Sequence, residues 1–149
     1  MDLNGFLLIV HIAAAGTWLG ANMVQAVVPS MMAKQGPAAA AGWYRTAAGF
    51  NRLYMPAGIL LLATGIWMVL RIEAFGFSSL FVTIGFVMIV IGVVLGIAVF
   101  APGGEAAADA IESGDQNRIK KATAKLAMWG TVDTLLLLFT IGAMVIRWS

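Results

Sequence analysis

Four long apolar runs fix most of what this chain can become: Phe6–Val28, Leu53–Leu70, Leu80–Phe100 and Leu126–Ile146. Each has about 18 to 23 residues, or about 27–35 Å of helix, against a hydrocarbon core of about 30 Å. A chain crossing lipid has to satisfy its own backbone hydrogen bonds, and at this segment length that means helix. The expected fold is an all-α membrane protein: an antiparallel four-transmembrane-helix bundle forming a single domain over residues 1–149, embedded in the lipid bilayer. Composition agrees, since 11% of the residues are charged where a soluble domain carries roughly 25%. Met1-Asp2-Leu3-Asn4 has no basic stretch of the kind that opens a cleaved signal peptide, so the first run is expected to remain as a span.

The composition also removes several chemistries. With no cysteine, disulfides, c-type haem attachment, cysteine-held iron–sulfur clusters and thiolate zinc sites are excluded. One histidine excludes an intrachain multi-histidine metal centre. A formal net charge of +2 leaves no nucleic-acid footprint. No catalytic residue set can be read.

Glycine and proline punctuate the chain between the runs, at Pro29, Gly36-Pro37, Gly76 and Pro102-Gly103-Gly104. They are expected to mark helix ends. Lys34, Arg45, Arg52, Arg118, Lys120, Lys121 and Lys125 fall on one side of the bundle, and Arg71 and Arg147 on the other. Lys/Arg bias sets orientation, which predicts both termini outside and the first and third connections in the cytoplasm. Trp43, Tyr44 and Trp129 then lie near the inner interface, with Trp67 and Trp148 near the outer one. Pro37 is placed to open a short helix over Ala38–Phe50 at the membrane surface. In the third connection Gly114 is expected to break a helix and Asp115 to cap the next, which runs on into the fourth span. Its acidic-then-basic order reads as a solvated hairpin, or as a docking surface for a partner.

The first span carries the most information. His11, Ala15, Trp18, Asn22 and Gln25 form one stripe about 80° wide at about 100° per residue. Gly16 and Gly20 lie nearly opposite. Amides and an imidazole facing lipid would lack partners, so the stripe is expected to face the bundle interior, a cofactor or another subunit. Three readings of His11 stay open: a hydrogen bond to Thr64 or Thr140 (or reach to the outer interface), an axial haem or copper ligand, and a proton-transfer group. A metal-bound imidazole would donate from its other ring nitrogen to a nearby acceptor.

Asp133 is the acidic residue well inside a span. Antiparallel counting sets it level with Trp18 and Asn22, with Arg52 entering from the same side. It is read either as a structural partner of Arg52 or Asn22, or as part of a proton or ion relay. Met68, Met88 and Met144 lie within about 12 Å of the outer end by helical rise. Thioethers with one imidazole suit Cu(I), although methionine also fills ordinary apolar cores. Close glycine-mediated packing is expected at Gly16, Gly20, Gly58, Gly65, Gly85, Gly92 and Gly96, with Gly20→Leu disrupting the bundle.

The stretch His11-Ile-Ala-Ala-Ala-Gly-Thr-Trp18-Leu-Gly20, together with Arg52-Leu-Tyr-Met-Pro-Ala-Gly58 and Ala63-Thr-Gly65, resembles a bacterial four-helix membrane superfamily. That superfamily includes the copper-resistance-D export domain and the membrane protoporphyrinogen oxidase families. The third span here has no Lys or Arg, and the nearest resemblance is to a branch of unknown function. The likeness implies a bacterial inner-membrane location and a haem b or copper association at His11. Three functions compete at this point. One is a haem- or copper-associated membrane protein with His11, Trp18 and Asn22 at the cofactor and His11, Met88 and Met144 at a metal. The second is an accessory or assembly subunit, as a homo-oligomer or with a membrane-complex partner. The third is a small-solute or ion transporter built on the buried polar residues Gln25, Arg52 and Asp133.

Overall fold

In a computed structural model, the chain is described over residues 2–71 and 76–146, apart from the side chains of residues 51–53. Expectations placed on the Arg52 side chain, Arg147 and Trp148 lie outside the described residues.

The fold is an antiparallel bundle of apolar helices. Helix α1 spans Leu3–Lys34, α2 Pro37–Ala48 and α3 Asn51–Arg71. Helix α4 spans Leu80–Leu95 and passes through a π-helical turn, Gly96–Phe100, into α5, Ala101–Ser113; α6 spans Gln116–Ile146. Among the described residues, four segments are long and apolar enough to cross a membrane: Leu3–Lys34, Tyr54–Arg71, Leu80–Ser113 and Gln116–Ile146. Large apolar side chains such as Ile12, Leu70, Val90, Ile97 and Leu135 are exposed around the bundle. On a water-soluble protein such a belt would aggregate; on a multi-pass membrane protein it meets lipid.

Antiparallel order is visible in the contacts. On α1 and α3, His11 meets Thr64 while Gln25 meets Tyr54. On the third and fourth apolar segments, Gly85 faces Met144 and Gly103 faces Leu126. The centre of the bundle is a cluster of Ala14, Trp18, Leu61, Met88 and Leu137.

Two proline-containing sequences do not end helices as expected. Helix α1 continues through Pro29 to Lys34. The third span continues through Pro102-Gly103-Gly104 to Ser113, so that α4, the π turn and α5 form 34 consecutive helical residues. A proline lacks the N–H that would close its turn. The π turn directly before Pro102 shifts the local pairing, which lets the helix pass a residue that cannot donate. Gly103 and Gly104 stay because neighbours occupy the space a side chain would need: Leu126 against Gly103, and the Tyr44 carbonyl and Ala48 against Gly104.

At about 51 Å by helical rise, the third segment outruns the hydrocarbon core. Its extension, α5, packs against α2 and α6 and closes one end of the bundle. A helix expected over Ala38–Phe50 forms as α2, ending two residues earlier at Ala48, and its buried Ala40 and Ala41 belong to a small-residue seam with Ala107, Ala108 and Ala110 of α5. Arg45 ties the seam at its rim. It pairs with Glu105 at 3.1 Å, Asp109 at 2.9 Å and Glu112 at 2.8 Å, carboxylates spaced four and three residues apart on one α5 face. The hydrogen bond to Glu112, then that to Asp109, hold the Arg45 guanidinium above its ordinary pKa. Gly114 ends α5 in the left-handed conformation, φ 71°, where a side chain is disfavoured. Asp115 Oδ1 then accepts from the backbone N–H of Asn117 and Arg118 to start α6, as expected.

The glycine expectation is half corrected. Gly65, Gly85 and Gly92 face His11, Met144 and Trp18 respectively. Gly16, Gly20 and Gly58, in contrast, meet nothing within 4 Å of a would-be Cβ. For Gly16 and Gly20 the reason is rotational: the polar stripe of α1 turns inward, so its opposite face turns out of the bundle. Gly20→Leu is now expected to leave the stability of a single bundle within about 0.5 kcal/mol of wild type, measured by thermal unfolding in detergent. A large loss would show a partner on that face.

Candidate functional site

The inward stripe of α1 assembles a chain of polar side chains ending at Asp133. Gln25 Nε2 donates to the Tyr54 hydroxyl. The Tyr54 hydroxyl donates to Asn22 Oδ1 at 3.1 Å. Asn22 Nδ2 donates to Asp133 Oδ2 at 2.7 Å, and Trp18 Nε1 donates to the same oxygen at 3.2 Å. Every hydrogen in the chain is directed toward Asp133, whose Oδ2 accepts from both Asn22 and Trp18. Asp133 itself is 2% exposed. Its second oxygen, Oδ1, is buried and has no hydrogen-bond partner. Buried polar atoms are nearly always paired, so this oxygen stands out.

These residues sit at the wall of a cavity of about 820 Å³ that Trp18, Asn22, Gln25, Tyr54 and Asp133 share with Met23, Met55 and Gly58. The cavity extends toward the α2–α5 end, where Trp43, Tyr44, Gly104 and Lys120 line it. Burial pushes the Tyr44 hydroxyl pKa up, so it stays a neutral donor. The size falls in the range of roughly 300–1,000 Å³ found for small-molecule sites.

The sequence-predicted residues thus divide into two places. Trp18, Asn22, Gln25 and Asp133 come together. His11 lies elsewhere and is absent from the cavity wall. Its Nδ1 is 2.8 Å from Thr64 Oγ1, one of the two partners expected for it. That hydroxyl also lies within hydrogen-bond distance of the carbonyl of Leu60 in its own helix. The thioethers have different neighbours. Met88 is 4% exposed in the central cluster with Trp18, and the Met144 methyl lies against Gly85. Among the described residues, no group of three His, Cys, Asp or Glu side chains is placed to hold a metal ion.

Tyr54 does not stand out in the sequence as a site residue. The signal that could have found it is depth: it lies in the first turn of the third helix, at the level of Gln25, one end of the polar stripe. Comparison of the chain with protein-family models, curated proteins and solved structures finds no match.

Proposed function

We propose that this protein is a small-solute or ion transporter whose binding site is the cavity at Asp133. The observation that carries the reading is an acidic side chain, almost fully buried among the spans, in the wall of a cavity of solute size and with one oxygen unused. Ionisable residues at membrane depth are costly and characteristically mark solute and ion pathways. We place the protein in the bacterial inner membrane with both termini outside. Lys34, Arg45, Arg118, Lys120, Lys121 and Lys125 support this, since they lie at the α2–α5 end, and that end is then cytoplasmic.

Flux into proteoliposomes tests the proposal. Asp133→Asn keeps an oxygen for Trp18 and Asn22 but removes the charge, so we expect flux to fall at least about tenfold, with unfolding temperature near wild type. Equal flux through both proteins would overturn the proposal.

A second reading, haem or copper association at His11, is favoured by one observation. Thr64 hydrogen-bonds one ring nitrogen, Nδ1, as the outer partner of a metal-bound histidine does. A bare Cu(I) ion suits an imidazole and thioethers, and it needs less room than a porphyrin at a residue outside the large cavity. Metal analysis and an optical spectrum of purified protein test this. The expected result is a copper or haem signal that His11→Ala removes while the helical content stays. Equal metal and haem content in wild type and variant would exclude it.

A further inference from the structure

The wall of the large cavity is not closed on every side. Met55 and Ile59 of α3, and Val93 and Ile97 of the third segment, line the cavity and are also exposed. Helix α3 packs on α1 and α4 on α6, with little contact between α3 and α4 themselves. Side chains that belong both to the wall and to the exposed apolar belt mark the side on which the cavity meets lipid. Resting on the transporter reading, which makes this cavity a solute site, we infer that it takes a single-chain anionic amphiphile from the bilayer, with the chain between α3 and α4 and the headgroup at Lys120.

Depth, polarity, charge and size converge on that ligand class. Along α6 the wall runs from Leu135 to Lys120, and along the third segment from Ile89 to Gly104, each about 22 Å by helical rise. One leaflet with its headgroups is about 20–22 Å deep, so the cavity has the depth of one lipid monolayer. Its deep end is apolar, with Leu62, Ile89 and Leu135, and its other end carries Trp43, Tyr44 and Lys120. That is the order of an amphiphile, whose chain needs apolar surface and whose headgroup needs donors among interfacial rings. The charge at the α2–α5 end is complementary to an anion. Glu105, Asp109 and Glu112 are taken up by Arg45, and Asp115 starts α6. Lys120, in the wall, is exposed and has no ion pair among the described residues. Asp133 does not oppose an anion there: it is almost fully buried and about 20 Å from Lys120 by helical rise, beyond the screening length at physiological salt. A volume of about 820 Å³ holds a ligand of drug size, which means one chain and its headgroup rather than a two-chain lipid.

The test uses the full chain in phosphatidylcholine nanodiscs, with radiolabelled dodecyl phosphate as the probe, dodecanol and dodecyltrimethylammonium as its neutral and cationic counterparts, and empty nanodiscs as the blank. Above the blank, dodecyl phosphate is expected to bind at least about fivefold more tightly than either counterpart, since one basic residue at a membrane surface contributes about that factor toward an anion. Inorganic phosphate should not displace it. Lys120→Glu leaves the apolar wall intact and should remove the preference for the anion. Gly58 is in the cavity wall and a Cβ there meets nothing, so Gly58→Phe should grow into the open volume and abolish dodecyl phosphate binding while the helical content stays. Equal binding of the three amphiphiles, an anion preference that survives Lys120→Glu, displacement by inorganic phosphate, or binding unchanged in Gly58→Phe overturns the inference. Asp133-dependent flux of a small solute without dodecyl phosphate binding overturns the ligand class alone and leaves the transporter reading standing. Dodecyl phosphate binding as expected, with no flux of any solute, overturns transport alone.

Discussion

Gly92→Val is expected to destabilise the bundle by about 3 kcal/mol, the upper end of what overpacking a well-filled core costs. A Cβ at position 92 would overlap the Cζ2 and Cη2 atoms of the Trp18 ring. That ring is tethered. Its Nε1 donates to Asp133, and it packs in one cluster with Ala14, Leu61, Met88 and Leu137. Relief therefore requires either breaking a buried hydrogen bond or moving α4 away from α1. Gly85 is the informative contrast. A Cβ there would come within 2.5 Å of the Met144 Cε, the far end of a flexible chain that can rotate away, so Gly85→Ala should cost less than about 1 kcal/mol. Thermal unfolding of both variants in one detergent checks the pair. A Gly92→Val protein as stable as wild type would mean that α4 does not close on Trp18.

Trp18→Ala should be comparably damaging, at about 3 kcal/mol. The ring is 6% exposed at the centre of the core cluster, and truncating such a side chain in a soluble protein costs roughly 3–5 kcal/mol. The lower end applies here because a membrane-inserted reference state does not expose the ring to water, so lost packing rather than transfer sets the cost. Trp18→Phe separates the two roles of the residue. It keeps most of the ring but removes the N–H, leaving Asp133 Oδ2 with Asn22 alone; about 1–2 kcal/mol is expected. If Phe proves as damaging as Ala, the hydrogen bond to Asp133 outweighs packing at this position.

Both substitutions act where the sequence is least able to speak. Four apolar runs of membrane-crossing length determine an all-α bundle, because lipid offers the backbone no other partner and the lengths match the core. The narrow stripe from His11 to Gln25 determines which face of α1 turns inward, since its polar groups need partners that lipid lacks. Antiparallel counting sets Asp133 beside Trp18 and Asn22 for the same reason, as rise per residue converts position into depth. Three things were decided only by tertiary structure. Pro29 and Pro102 read locally as helix ends, yet α1 runs past the first, and a π turn carries the third span past the second into a seam with α2. The glycines at 16 and 20 carry the same spacing signal as a packing face, but rotation of α1 leaves them outward. His11 had both Thr64 and Thr140 open to it by depth, and the packing of α3 against α1 decides for Thr64. Periodicity along one helix states which residues share a face; which neighbour that face meets at each depth depends on the other helices, and so on the whole chain.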